Sequence, residues 1–255
     1  GNVGHHMAMA FHESGIPIQQ IFSRKKKKAK ALAQLVNARP LHHLEELAPT
    51  ADLYLLAVRD DAIESVAQQI LSTSPDMANK LVAHTSGAVP GKVLQPYFKN
   101  YGVFYPLQSL SIDREVDFRQ IPLCIDAAVS DAAKTLYQLA GRLSDRVAYV
   151  TDDDRKKLHV AAVLVNNFTN LLYTQAAVIC EQEGLDFDLL KPLISETAAK
   201  IQQHDPTKMQ TGPAARGDLK TIERHLRYLK KFPDIRSSYQ LLSKLLLQQH
   251  KANKK

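Results

Sequence analysis

The chain begins Gly1-Asn2-Val3-Gly4, continues into an apolar stretch through Phe11 and turns near Gly15. Glycines at this spacing let a backbone come close to a pyrophosphate, whose charge the N-terminus of the following helix favours. Gly1 and Gly4 fit the second and third glycines of a G-x-G-x-x-G turn, with Asn2 and Val3 between them as further cofactor contacts. The first glycine and the first strand are missing from the sequence and are expected in roughly ten residues upstream. Four residues alone also fit an ordinary turn. Their weight comes from the order of the next elements: a strand over Ile18 to Ser23, then a helix over Lys26 to Val36.

The tip of that strand bears on the choice of cofactor. A ribose 2′-hydroxyl is generally held by Asp or Glu at this point, and a 2′-phosphate by basic groups. Here the strand ends in Ser23, Arg24 and Lys25 with no acid nearby. A hydroxyl donor beside a guanidinium suits a phosphate, which Arg binds in a bidentate fashion. The competing reading is a solvated helix start, but a helix N-terminus does not favour the run Lys25 to Lys28. The residues favour NADP(H).

Positioning such groups requires an α/β scaffold, and the chain alternates accordingly up to about residue 150. Leu53 to Val58 is a continuous apolar run, as in a strand buried on both faces of a parallel sheet. Asp60 is expected to cap a helix through about Leu71. Further strands are expected at Lys80 to His84, Tyr101 to Tyr105, Ile121 to Ile125 and Arg146 to Val150. The pattern predicts a doubly wound Rossmann-type domain over residues 1–150, followed by an all-helical domain over 151–255. In the second domain, helices are expected over Arg155 to Glu183, stopped by Gly184, and over Phe187 to Gln203, Leu219 to Lys231 and Ile235 to Gln249.

Composition narrows the class. At 255 residues and 45% hydrophobic content the chain can bury one large core or two medium ones. It has no apolar run near the roughly 20 residues that span a bilayer, and its first residues do not form a signal peptide. Cys124 and Cys180 stand alone, which points to a reducing, cytoplasmic setting, and no Cys/His spacing would hold a metal such as zinc. The formal charge of +7 is concentrated at Lys25 to Lys28 and in a tail ending in Lys254 and Lys255, read as a frayed end. Without aromatic residues interleaved among the basic ones, neither nucleic acid nor a membrane is expected as a partner.

Four segments resemble a known group. Ala51-Asp52-Leu53-Tyr54-Leu55-Leu56-Ala57-Val58-Arg59-Asp60-Asp61-Ala62-Ile63 is similar to the fourth-strand segment of 6-phosphogluconate dehydrogenase-like proteins. His84-Thr85-Ser86-Gly87, Tyr105-Pro106-Leu107-Gln108-Ser109 and Thr211-Gly212-Pro213-Ala214-Ala215-Arg216-Gly217-Asp218 complete the set. With the helix carrying His159 and Asn166-Asn167, they resemble bacterial Rossmann-like proteins that carry a C-terminal helical domain of unknown function. That group is similar in architecture to pyrroline-5-carboxylate reductase, prephenate dehydrogenase and ketopantoate reductase. The resemblance implies NADP(H) binding, a helical domain that forms a homodimer, and a reaction cleft between the domains.

It also implies roles for particular residues. Val58 and Asp60 would lie along the cofactor ribose, although Asp60 equally fits a plain helix cap. Thr85 would touch the cofactor, while Ser86 and Gly87 would hold a substrate carboxylate or the nicotinamide amide. His84 is a candidate proton donor, or else a strand-end histidine bonded only to backbone. Gln108 would face the substrate at the turn set by Pro106. Counted at 100° per residue, His159, Asn166, Asn167, Asn170, Tyr173 and Thr174 share one sector of roughly 120° on an otherwise apolar helix. Such a helix must be buried, so its polar stripe either lines the cleft or forms an internal hydrogen-bond network. His159 and Asn166 are the catalytic candidates there, and Asn167 and Asn170 the substrate contacts. Arg216 is either a carboxylate anchor or half of a structural ion pair.

Together these readings describe an NADP(H)-dependent oxidoreductase acting on a small, anionic keto, hydroxy or imino compound. The alternative is a non-catalytic NADP(H)-binding sensor or assembly protein, which would bind cofactor without turnover.

Overall fold

The computed structural model describes residues 1–252; the tail residues Lys254 and Lys255 lie outside them. The chain starts with helix α1 (Asn2–Glu13), strand β1 (Gln20–Phe22), helix α2 (Lys26–Leu35) and strand β2 (Arg39–Leu41). There follow β3 (Leu53–Leu56), α3 (Ile63–Thr73), β4 (Leu81–His84), β5 (Asn100–Pro106), β6 (Leu123–Ala127), α4 (Ser130–Leu143) and β7 (Val147–Tyr149). Helices α5 (Asp152–Ala162), α6 (Thr169–Gln182), α7 (Lys191–Gln203), α8 (Pro213–Arg216), α9 (Leu219–Tyr228) and α10 (Pro233–Ala252) complete the order. The chain divides into two compact units, Gly1–Asn167 and Phe168–Lys255.

In the first unit β1 pairs in parallel with β2, and a separate sheet runs β3-β4-β5-β6-β7. Strands β3, β4 and β5 are parallel, as the sequence predicts, but β6 runs antiparallel to β5 and β7 follows β6 in parallel. The reversal has a simple cause. A parallel return is usually carried by a crossover helix, and the connection 107–122 between β5 and β6 contains no helix beyond the short 3₁₀ turn Phe118–Gln120. Strand β2 escapes a sequence reading because it is three residues long and contains Pro40, which fits only a poorly paired edge.

Side-chain period decides which face each helix covers. Val3, Met7, Ala10 and Phe11 of α1, with Ala132, Leu136, Ala140 and Leu143 of α4, recur at helical spacing and pack with Ala83, Phe104, Leu123 and Ile125 of the sheet. The opposite face meets Ile63, Ala67 and Ile70 of α3 through Tyr54, Leu56 and Val82. Further along, Val103, Tyr105 and Cys124 meet Leu158 of α5. Helix α5 therefore closes this sheet face. Its N-cap is Thr151, which accepts from the Asp154 amide, with Asp152, Asp153 and Asp154 in the first turn.

The expected helix over 155–183 forms with one change and stops where the sequence places its end. A π-helical segment, Val163–Phe168, separates α5 from α6, and Gly184 follows the end with φ 66°. The expected burial is not met within the chain: Val165 is 74% exposed, Phe168 54% and Leu171 50%. In the second unit, Gln175 of α6 donates to Ser238 of α10, and the turn after α9 is tied to the end of α6 by the ion pair of Lys231 with Glu183. Asp218 caps α9 by accepting from the Thr221 amide at 3.1 Å.

Leu136 has no exposed surface. Leu136→Ala should lower unfolding free energy by about 2–5 kcal/mol in a urea titration.

Candidate active site

Three features converge near the start of the chain. Neither α1 nor α2 has an acid in its first turn, and no side chain caps either helix. A Cβ on Gly4 would lie 3.2 Å from the Ala57 Cβ, so glycine lets α1 lean closely on the end of β3. Helices α1 and α2 also approach one another. Two positive helix ends next to a close glycine contact form a fitting cradle for a dinucleotide's phosphates. Ser23 Oγ accepts from the Lys25 amide at 3.3 Å, while Arg24 and Lys25 are exposed and, among the described residues, make no ion pair. Val58 and Asp60 are exposed after β3. Asp60 does not cap the helix: Ala62 stands at the cap position of α3, and Asp60 opens the 3₁₀ turn before it with its carboxylate facing solvent. Asn2 turns elsewhere, donating to the Leu110 carbonyl at 3.0 Å.

Strand register lays a second group of residues across the sheet. Leu56 pairs with His84, His84 with Val103 and Val103 with Asp126. Over this row sits Arg155 of α5, with no exposed surface. Its Nη2 donates to Asp152 Oδ1 at 2.6 Å and to the Val89 carbonyl at 2.7 Å, and Nη1 stands 3.9 Å from Asp126 Oδ2. Asp152 Oδ1 also accepts from the Gly91 amide at 2.9 Å. The pair thus fastens the loop after β4 at two backbone points. Burial would raise the Asp152 carboxyl, but the Gly91 amide and Arg155 outweigh it and hold the group below its ordinary value. Burial and the Asp152 charge raise Asp126.

His84 is the candidate the structure argues against most directly. It has no exposed surface, its Nδ1 accepts from the Ser86 amide at 3.2 Å, and its Nε2 has no hydrogen-bond partner. Burial, and then the neighbouring Arg155 charge, lower its pKa from 6.5 to about 4. A shielded neutral imidazole with its acceptor engaged is a strand-end structural histidine rather than a proton donor. Ser86 has a similar local task, its Oγ accepting from the amides of Ala88 and Val89 at 3.1 and 3.0 Å. Thr85 is buried, and its amide donates to the Leu56 carbonyl.

The reactive-looking pair lies one step further along. Since His84, the last residue of β4, pairs with Val103, Tyr105 lies two positions on near the carboxyl end of β5, beyond the end of β4. Ligands of open α/β sheets gather at this edge. The Tyr105 hydroxyl lies 3.2 Å from His159 Nδ1, and the two rings meet edge to face with centroids 6.1 Å apart. Both press on Gly87. A Cβ there would stand 2.6 Å from His159 Nδ1, 2.6 Å from Tyr105 Cζ and 2.9 Å from the hydroxyl. Burial keeps the Tyr105 phenol above its ordinary pKa, with a smaller upward push from Cys124 and an opposing one from Arg155.

Of the residues singled out from sequence, His159 and Gly87 are brought together, and Tyr105 joins them. Tyr105 lies inside a recognised motif whose sequence points instead to Gln108. Gln108 is exposed and folds onto its own loop, accepting from the Ser109 amide at 2.8 Å. Arg155 escapes a sequence reading because nothing in Arg155-Lys156-Lys157 tells a buried cation from two exposed ones. The single polar sector is not maintained. A π segment hydrogen-bonds i to i+5 and so adds a residue to the turn, shifting a count at about 100° per residue by a comparable angle. His159 is on α5, the exposed Asn166 and Asn167 lie in the π segment, and Asn170, Tyr173 and Thr174 are on α6. Arg216 is exposed at the end of α8 and forms no ion pair among the described residues, so the structural ion-pair reading is not met. Among the described residues no cluster of three or more His, Cys, Asp or Glu is arranged to hold a metal, and no helix is long and apolar enough to cross a membrane.

This arrangement, a glycine-opened phosphate cradle and a polar pair at the strand ends, belongs to the Rossmann-like class followed by a helical domain. Residues 1–107 match the Rossmann-like domain model, and residues 121–246 match the domain of unknown function DUF2520. A solved protein of Bacteroides fragilis, described as a candidate NADP oxidoreductase, is 39% identical over 97% of this chain and 95% of its own, with TM-score 0.89. The chain belongs to this family of Rossmann-like proteins with a DUF2520 domain. Two more distant structures share the fold. An imine reductase of Myxococcus stipitatus in complex with NADP+ is 15% identical, covering 99% of this chain and 92% of its own, with TM-score 0.69. A pyrroline-5-carboxylate reductase of Coxiella burnetii is 14% identical, covering 99% and 95%, with TM-score 0.61. No curated protein matches the chain.

Because His84 binds protons less readily folded than unfolded, it contributes stability that is complete above pH 6.5 and lost as the pH falls toward about 4. The contribution is about 3 kcal/mol. Urea titrations at stepped pH across this window should show wild-type stability falling more steeply than that of His84→Asn. Parallel curves would mean that His84 does not titrate in this way.

Proposed function

We propose that this protein is an NADP(H)-dependent oxidoreductase acting on a small anionic keto, hydroxy or imino compound at the carboxyl edge of β4 and β5. The observation that carries the cofactor assignment is the exposed run Ser23, Arg24 and Lys25 at the acid-free start of α2, with α1, also acid-free in its first turn, beside it. The likeness to a candidate NADP oxidoreductase along nearly the whole chain supports it.

In this reading Gly1, Val3 and Gly4 let the backbone approach the pyrophosphate, and Ser23, Arg24 and Lys25 take the 2′-phosphate. Val58 and Asp60 border the ribose. When bound, the nicotinamide supplies or accepts a hydride. The protein provides orientation and a proton through His159, whose Nδ1 is already engaged by Tyr105 at 3.2 Å. Loop 85–91 holds its shape through Arg155 and Asp152 and presents Gly87 to the same space. The assignment does not depend on Asn170 or Arg216 of the helical unit.

We also propose a homodimer formed through the helical unit. Leu189 is 74% exposed, Leu193 64% and Leu241 59%, more apolar surface than a monomer ordinarily leaves in water. Light scattering should give twice the chain mass; a monomer at micromolar concentration would count against this part.

Calorimetric titration tests the cofactor assignment. NADPH should bind at least tenfold more tightly than NADH. The double variant Arg24→Ala, Lys25→Ala should weaken NADPH by about 10–100-fold while leaving NADH nearly unchanged. Tighter binding of NADH by the wild type would overturn the NADP(H) assignment. NADPH binding without turnover of any keto or imino acid would favour the sensor reading.

A further inference from the structure

We propose that Tyr105 is the residue that hands a proton to the substrate, and that His159 serves as the proton reservoir behind it. This rests on the oxidoreductase reading above and extends it to a group whose motif, read as sequence, pointed elsewhere.

Order favours the phenol. Tyr105 lies near the carboxyl end of β5, where ligands gather, while His159 on the covering helix is the more exposed of the two, as suits a group recharged from water. The hydroxyl and His159 Nδ1 are 3.2 Å apart, close enough for one to supply the other. Gly87 is what permits the pair to reach the loop. Any larger residue would drive a Cβ to 2.6 Å from both the imidazole nitrogen and the phenol ring. A glycine required by two chemically matched side chains, at the edge where ligands gather, marks a built site rather than a packing accident.

Alternatives at this edge are already engaged. His84 is neutral and shielded, Ser86 holds its own turn, and Gln108 caps its own loop. Cys124 is buried in the apolar cluster under α5, away from any ligand. Burial holds the Tyr105 phenol above its ordinary pKa, so it carries its proton at neutral pH, as a general acid must. The charged groups whose fields reach it are Arg155 on α5 and Asp60 after β3, one of each sign. Helix α5 is held against the sheet by the buried Arg155 one turn before His159, which fixes the height of the imidazole.

The step balances in atoms and electrons. With the reduced nicotinamide bound as reductant, the substrate's C=O or C=N carbon would take a hydride from it and the π pair would move to the heteroatom. The Tyr105 O–H bond breaks as the heteroatom–H bond forms. His159, as imidazolium, gives its Nδ1 proton to the phenolate oxygen, which restores Tyr105 and leaves neutral His159 to be recharged from solvent. The substrate gains two electrons and two hydrogens, one as hydride and one as proton.

The test uses the full chain and the variants Tyr105→Phe, His159→Gln and the double variant, each first checked for an unchanged melting temperature. In protein without cofactor, the His159 ring is titrated by ¹⁵N NMR and the Tyr105 phenol by ultraviolet difference absorption. The relay predicts coupling in both directions: Tyr105→Phe should shift the His159 titration and His159→Gln that of Tyr105. Independent titrations overturn the proposal whatever the cofactor experiments show. For turnover, NADPH oxidation is followed with glyoxylate, pyruvate and 1-pyrroline-2-carboxylate. Tyr105→Phe should lower kcat by about 10²–10⁴-fold with KM and NADPH affinity nearly unchanged. The double variant should be no slower than Tyr105→Phe, because the two residues act as one unit. A Tyr105→Phe protein within twofold of wild-type kcat overturns the relay and makes His159 the direct donor. Absence of NADPH binding by the wild type overturns the oxidoreductase reading alone, since the titrations still decide whether the pair shares a proton.

Discussion

A guanidinium with no exposed surface holds the ligand edge of the first unit together. Arg155 sits under α5 and above the row His84, Val103 and Asp126, where a lone charge would be costly. Asp152 offsets that cost at 2.6 Å, and the Val89 carbonyl at 2.7 Å takes a second bond. Nε and Nη1 remain without hydrogen bonds, so the pair is only partly satisfied. Breaking a buried pair of this kind by removing one partner typically costs about 3–5 kcal/mol, because the other charge is left stranded. The same contacts fix loop 85–91 to the start of α5, so the shape of the edge and the height of His159 depend on one electrostatic bond.

That bond also sorts the titratable groups. A positive charge over the sheet pushes His84 further toward the neutral form and opposes the rise of Tyr105 and Asp126. His84 and His159 stand at nearby strand and helix positions but have opposite fates. One is sealed beside the guanidinium with its Nδ1 occupied by a backbone amide; the other is half-buried with its Nδ1 on a phenol. Residue type alone does not separate a structural histidine from a chemical one. Burial and the identity of the hydrogen-bond partner do.

The legible parts of the sequence were those that repeat a simple period or obey a local steric rule. Leu53 to Val58 is apolar without interruption and holds a strand of the parallel part of the sheet; Gly184 ends a helix with positive φ; Asp218 caps one. Gly4 was legible because close helix–strand approach demands a glycine, and the Cβ it lacks would stand 3.2 Å from that of Ala57. What could not be read was set by long-range geometry. The direction of β6 depends on a connection with no crossover helix, and β2 is three residues around a proline. The polar sector assumed an unbroken α-helix, and a π segment leaves no mark in composition.

Tyr105 shows why part of the candidate site stays hidden until the fold is known. Its neighbours in sequence, Phe104 and Pro106, are also buried, so three successive positions look alike by hydropathy. Strand alternation separates them. Phe104 faces α1 and α4 with the main core, while Tyr105 shares the other face with Val103 and Cys124, beneath Leu158 of α5. On that face a phenol needs a polar partner, and the helix passing over its hydroxyl presents His159. Sheet parity therefore selects the tyrosine, the covering helix supplies the imidazole, and a glycine at position 87 leaves room for both.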